Sequence, residues 1–508
     1  MGGLYPDPYW SKRTGIGAEP DSKLAIPSVT LPNASGRIPA AAGWSGEAYV
    51  GGDMISGLLL CILVSATSEP EIYVLSTGAP IWDVVAYDLN GDDQKDILAL
   101  CSDSDAEPPQ KEIAIFLANE DGGYPPQPSS VLALAETVGV SFLAEIDGES
   151  PKELVVVDHA SATWYRFSND EFTLGGEMAL QSLLPGGPKE PVFLRNAAED
   201  LDGDGIDEWI IPVPLGHEIY NAGGRISAVP SDVVSETRQA GTTYIIHRLP
   251  SVASFKFGDM QHKGIAFLSD EAADFSYGTG WTEHTRFRIP VNLADKWDSS
   301  TTIKDINGDS IPDLMVTQTE GTAKMKVLTH IYIATGPFTY SETPTATFEK
   351  HGALTTPSLI DTNGDTQLDL VLIEIPLSVK SLFNYFVRNK LSTRINVHLF
   401  TDGGYSKVPS FRTNISLEAP NGREQVAYTM GDFNGDGFVD IAFGSGKNNL
   451  AIHAGTGRGD LSSRAIFTLD LPAFGIARKI RLDSDQKDDL VMFHPSGSNQ
   501  NRIDVVRF

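Results

Sequence analysis

From Gly43 onward, short apolar runs alternate with clusters of Gly, Pro, Asn and Asp. Runs such as Ile97-Leu-Ala-Leu, Trp209-Ile-Ile, Leu314-Met-Val and Leu370-Val-Leu are too short for helices and are bounded by turn residues, so they read as strands. One stretch departs from this pattern. Within 377–391, Leu377, Leu382, Phe383, Phe386 and Val387 fall on roughly one face of a helix. Residues 1–42 are rich in Pro, Gly, Ser and Ala and follow neither period, which predicts an extended arm ahead of one all-β domain spanning 43–508.

The strands are organised around a recurring acidic loop. Asp432-Phe-Asn-Gly-Asp-Gly-Phe-Val-Asp440 carries side-chain oxygens at positions 1, 3, 5 and 9, and an apolar run follows at once. Hard cations such as calcium take several oxygen ligands from a short, tightly wound loop. Four more copies are intact: Asp88 to Asp96, Asp200 to Glu208, Asp305 to Asp313 and Asp361 to Asp369. The expected ligands are Asp88, Asn90, Asp92 and Asp96; Asp200, Asp202, Asp204 and Glu208; Asp305, Asn307, Asp309 and Asp313; Asp361, Asn363, Asp365 and Asp369; and Asp432, Asn434, Asp436 and Asp440. Backbone carbonyls at position 7 complete each set, from Gln94, Ile206, Ile311, Gln367 and Phe438. Two weaker copies offer Glu145, Asp147, Glu149 and Glu153, and Asp483, Asp485 and Asp489, the latter with Arg481 at position 1.

These loops resemble the FG-GAP or VCBS repeats of integrin α-subunit heads and related propellers. The resemblance covers roughly 43–508. It implies a β-propeller of four-stranded blades in which each loop joins the first two strands and binds calcium. In the clearest repeat the strands are read at 355–360, 370–375, 394–400 and 413–418, with the next blade starting at 425–430. Loop starts are spaced 57, 55, 105, 56, 71 and 49 residues apart. Inside the long gap, Gly258-Asp259-Met-Gln-His-Lys-Gly264 looks like a copy stripped of ligands, and Gly52-Asp53-Met-Ile-Ser-Gly57 is similar. Seven blades is the first expectation and eight the alternative. Only two runs follow the last loop, so 71–76 is expected to join the C-terminal blade and close the ring.

Composition changes the picture in few places. A net charge of −29 argues against nucleic acid or an anionic membrane as partner. No apolar run reaches membrane-spanning length. The expected state is a monomer that meets a carbohydrate or small-molecule ligand. Cys61 and Cys101 read as buried thiols, and a disulfide between them needs adjacent strands. No signal peptide is visible, yet the sequons at Asn33 and Asn414 and the weak calcium loops suit a secreted glycoprotein.

Candidate chemistry lies away from the acidic loops. First-to-second connections share one face of a propeller, and second-to-third connections lie on the other. Two long second-to-third connections are expected on that other face, at 212–242 and 376–393. They bring His217 and Tyr220, and Tyr385. His159, His351 and His494 are placed on the same face. Histidine near neutral pH serves as a general base. This set predicts an enzyme of the polysaccharide-lyase type, or one that cyclises a small metabolite; the competing reading is a lectin-like or adhesion-like binding module. Trp281 and Trp297 read as core residues or as sugar-stacking platforms, and Arg458-Gly-Asp460 as a turn.

Overall fold

The computed structural model describes residues 69–508 apart from 104, 107–108, 185–186, 241, 291–296, 322–325, 352, 355–356, 376–383, 386 and 420–423. The N-terminal arm, Cys61 and the loop-like copy at 52–57 lie outside the described residues.

The described strands build an eight-bladed all-β propeller. Each blade is an antiparallel meander of four strands, with short additions in two of them. First strands begin the blades at Ile81–Tyr87, Val140–Ala144, Ala198–Glu199, Ser251–Phe255, Trp297–Lys304, Ser358–Ile360, Tyr428–Gly431 and Ile476–Ile480, which we number blades 1 to 8. Second strands such as Asp96–Asp103, Glu153–Val157 and Asp489–Phe493 are buried along nearly their whole length, because neighbouring blades cover both faces. Outer strands such as Ser130–Leu134 alternate between half-buried and exposed, as a sheet with one wet face requires. The fourth strand of blade 8 is Glu71–Ser76, paired antiparallel with Arg502–Arg507 from Glu71 opposite Arg507 to Ser76 opposite Arg502.

The expectation of seven blades is corrected to eight. Counting intact acidic loops passes over blade 4, which has four full strands, Ser251–Phe255, Gly264–Leu268, Ala272–Tyr277 and Glu283–Arg288, but no acidic loop. The sheet needs the apolar runs and not the carboxylates.

The stretch 212–242 is likewise not a loop. It holds the third and fourth strands of blade 3, Gly216–Asn221 and Gly224–Pro230, and then enters a hairpin of Val234–Ala240 with Thr242–Arg248 that leads to blade 4. The fourth strand carries polar residues on its exposed face, and the third is buried but holds His217 and Glu218, so neither shows the apolar run that marks the second strands. The connection between Asp369–Ile375 and Lys390–His398 of blade 6 does fall at 376–389. Much of it lies outside the described residues; 384–385 and 387–388 are helical. Among the described residues no helix is long and apolar enough to cross a membrane.

One buried carboxylate ties three blades together. Asp83, on the first strand of blade 1, is 3% exposed. Its oxygens receive Arg195 from the blade 2 to blade 3 connection at 2.8 Å, Arg478 from the first strand of blade 8, and the Phe193 amide at 3.1 Å. Both arginines also donate to the Val84 carbonyl at 3.0 Å. Burial alone would raise the Asp83 pKa, but the two guanidiniums outweigh it and hold the carboxyl below its usual range.

Candidate metal loops and ligand pockets

The acidic loops are wound by their own side chains. The Asp88 carboxylate accepts the amides of Gly91, Asp92 and Asp93 at 2.7, 3.2 and 2.9 Å. Asp305 and Asp432 repeat this on the amides three, four and five residues on. Asp361 and Asp200 take those three and five residues on. Position 4 is a left-handed glycine in each intact copy, for example Gly435 with φ 75°. Position 6 is left-handed as well, and there Asp93, Ser310 and Thr366 adopt it without being glycine. A non-glycine residue in this region carries strain, so the winding of the loop is imposed on it.

Position 9 has a task that sequence reading missed. Asp96 is buried, with one oxygen on the Leu89 amide and the other on Ala118, just past the third strand. Asp313 does the same with Ile306 and Ala334, Asp369 with Thr362 and Phe400, Asp440 with Phe433 and Gly455, and Asp489 with Leu482 and Phe508. Each carboxylate therefore straps its loop to the end of the third strand beside it. Burial raises these acids, Asp96, Asp313 and Asp489 to about 6 and Asp440 to about 7, against the pull of the two amides.

Blade 3 differs, because position 9 is the longer Glu208. Its Oε2 accepts the Leu201 amide at 2.8 Å, while its buried Oε1 has no hydrogen-bond partner. Oxygens of Asp200, Asp202 and Glu208 all lie within 4.8 Å of one another. An orphaned buried carboxylate oxygen beside two more carboxylates is costly unless a cation joins them. Burial, followed by the three neighbouring aspartates, pushes Glu208 up to about 7 against the Leu201 amide. This cluster can hold a metal ion, and its all-oxygen donor set suits a hard one.

Glu145, Asp147 and Glu153 form a second such cluster, but a protein cation sits on it. Arg166 bonds Asp147, and it reaches Glu153 through Nε at 3.2 Å and Nη2 at 3.1 Å. In the loop of blade 8, Arg481 stands at position 1 and bonds Asp488 at 3.3 Å, and Arg507 comes within 3.8 Å of Asp483. These two loops carry cationic side chains of their own.

The expected catalytic groups are spread over five blades. His217 is 2% exposed, stacked on Phe267 and bonded to Ser231 at 2.8 Å; burial pulls its pKa to about 3, so it is neutral. His494 is equally buried, with Nδ1–H donated to the Phe474 carbonyl at 2.7 Å and Nε2 3.1 Å from Asp504. Tyr220 lies opposite Trp209, at the acidic-loop end of blade 3 rather than on the other face. Its hydroxyl donates to Glu218, which also holds Arg225 at 2.6 Å. His351 is exposed beside Glu349, Tyr385 is exposed in the blade 6 connection, and His159 is exposed in the turn after the second strand of blade 2. Trp281 is core, 2% exposed, with its indole N–H on the Lys263 carbonyl at 3.0 Å, while Trp297 opens the first strand of blade 5. Cys101 is a buried free thiol.

His159 is the one member of this set that adjoins a described recess. Between blades 1 and 2 a cavity of about 260 Å³ is lined by Thr137, Asp158, Ser161, Thr163, Tyr165 and Glu177, among others. Burial would raise Asp158, but the amides of Ala160 and Ser161, the Thr137 hydroxyl and His159 hold it below its ordinary value. The recess thus presents an ionised carboxylate among hydroxyls. A second, larger pocket lies between blades 4 and 5 at the acidic-loop face, lined by aromatic rings.

No family model matches the chain. No curated protein matches it either. Solved structures do. A crystal structure of BBS1N in complex with ARL6DN, soaked with lead, is 10% identical over 86% of this chain and 95% of that one, with a TM-score of 0.36. The exotype rhamnogalacturonan lyase YesX is 12% identical over 83% of this chain and 60% of that one, with a TM-score of 0.31. The V. cholerae biofilm matrix protein Bap1 is 10% identical over 85% and 87%, also with a TM-score of 0.31. Likeness this distant says nothing of what this chain does.

Proposed function

We propose that this chain is a calcium-stabilised binding propeller that holds a polyhydroxylated ligand without transforming it. The observation that carries the reading is the recess at the Asp158 turn. Its carboxylates and hydroxyls match the donors and acceptors of a sugar, and the expected catalytic residues do not converge on it. The recess is on the face opposite the acidic loops, where loops on a rigid scaffold commonly carry function. Neutral methyl hexosides titrated calorimetrically into the full chain should bind. Thr163→Val and Glu177→Ala should each weaken that binding about tenfold, the worth of one good hydrogen bond, with the melting curve unmoved. Absence of binding by every hexoside, or consumption of a bound one, would overturn the reading.

Calcium is assigned to the five loops that have Asp at position 1 and whose ligand carboxylates, among the described residues, form no ion pair with a protein cation, with Asp200, Asp202 and Glu208 as the firmest set. Bound there, the ion neutralises carboxylates that otherwise repel. In blade 2 the Arg166 guanidinium takes the place of the ion. Arg166→Met should therefore raise the calcium content measured after dialysis by one ion per chain, and an unchanged content would refute the substitution of arginine for metal. Secretion is part of the same proposal; the exposed Asn414 is available for glycosylation there.

A further inference from the structure

Blade 4 has exchanged its metal loop for something else. In blade 5 the last residue of the first strand, Lys304, pairs with the position 9 acid, Asp313. The corresponding pair in blade 4 is Phe255 with Gly264. Glycine is needed here, because a Cβ on Gly264 would lie 2.2 Å from the Phe255 ring, which fills the room an acid side chain would take. Positions 1, 3 and 5 become Lys256, Gly258 and Met260, so the carboxylate cradle is gone.

In its place is a pocket of about 490 Å³, walled by Phe257, Met260, Tyr277 and Phe338, with Thr285 and Thr339 beside them. Phe338 comes from the third-to-fourth connection of blade 5. Its φ of 54° is left-handed and uncommon for phenylalanine. The turn that imposes it is closed by Thr335 on the Thr339 carbonyl at 2.9 Å and Thr339 on the Gly336 carbonyl at 3.0 Å. The Phe338 ring lies 4.6 Å from Tyr277, stacked, and 5.2 Å from Phe257, edge-on. A strained residue held so that its ring faces a partly open cavity is a recurrent mark of a binding site.

The lining decides what fits. No Asp, Glu, Lys, Arg or His is among the residues that line it. Its hydroxyls are already engaged, Tyr277 with Thr285 at 3.2 Å and Thr339 with the Pro337 carbonyl at 3.0 Å. A sugar would bury hydroxyls here without partners, at a cost. A methylated ammonium brings no N–H to satisfy, and it is attracted to ring faces. The carboxylates of Asp259, between Phe257 and Met260, and of Glu283, cross-strand from Tyr277, are exposed at these positions. Lys256 opposes them locally, but the chain as a whole is at −29 and draws cations.

We propose that this pocket binds an organic cation bearing a methylated ammonium group. The proposal goes beyond the calcium and sugar readings above and depends on neither. Calorimetric titration of the calcium-loaded full chain with choline should show saturable binding, and 3,3-dimethyl-1-butanol, its uncharged isostere, should bind at least tenfold more weakly. Phe257→Leu and Tyr277→Leu keep apolar bulk but remove a ring face, and each should weaken choline about fivefold with hexoside binding and calcium content unchanged. Equal binding of the isostere would make this a plain apolar pocket and overturn the proposal. So would the absence of saturable choline binding, or choline binding undiminished in both variants; because the isostere is compared on the unmodified chain, a variant that folds poorly does not shield the proposal.

Discussion

Replacing Asp83 with alanine is expected to destabilise the folded chain by about 2–3 kcal/mol, less than the cost of breaking a fully buried ion pair, because the Arg195 and Arg478 side chains are 35% and 27% exposed. The change removes the carboxylate on which two guanidiniums and the Phe193 amide converge. Each arginine keeps the Val84 carbonyl. Asp83→Asn preserves the shape and one acceptor, so its loss should be smaller. The pH dependence has a definite sign. A carboxyl whose pKa is lowered by folding contributes stability above its unfolded value of about 3.9, and this is lost as pH falls through the folded value. The gap between native protein and Asp83→Ala in denaturant melts should accordingly narrow on strong acidification. A variant within 1 kcal/mol of the native chain at neutral pH would show that the three-blade tie is dispensable.

Excess chelator should lower the melting temperature by roughly 10 °C or more, and added calcium should restore it. Each loop whose ion is a hundredfold above its Kd gains about 2.7 kcal/mol, and a chain of this size shifts by a few degrees or less per kcal/mol, so several occupied loops are needed for the effect. Blade 3 should respond most, because without the ion Glu208 Oε1 is left buried and unpartnered. Glu208→Gln should remove one bound calcium and a share of the shift. Blade 2, with Arg166 on its carboxylates, should contribute nothing. A melting curve indifferent to chelator would remove the structural role assigned to calcium, while leaving the strapping by position 9 intact.

The sequence by itself determined the all-β architecture, the first-to-second placement of the acidic loops and the residues that wind them. These follow from local patterns: apolar runs that must pair, glycines at left-handed positions, and carboxylates in fixed register. It also placed the strand at 71–76 and a connection at 376–393, of which 390–393 belong to the strand that follows. The tertiary structure alone decided the rest. Blade 4 showed in the sequence only as a loop stripped of ligands, and a count of acidic loops passed over it; a blade is held by its packed strands, and this loop had traded acid for Phe255 against Gly264. The third and fourth strands of blade 3 within 212–242 were hidden because polar residues interrupt the apolar runs that mark second strands. His217 and His494 looked like a shared site because sequence places them at equivalent connections; their burial against Phe267, and between Phe474 and Asp504, depends on neighbours that only folding supplies. Whether an acidic loop meets an arginine, as at Arg166, or leaves an oxygen orphaned, as at Glu208, is set by side chains arriving from other strands, and no local pattern records which of them arrive.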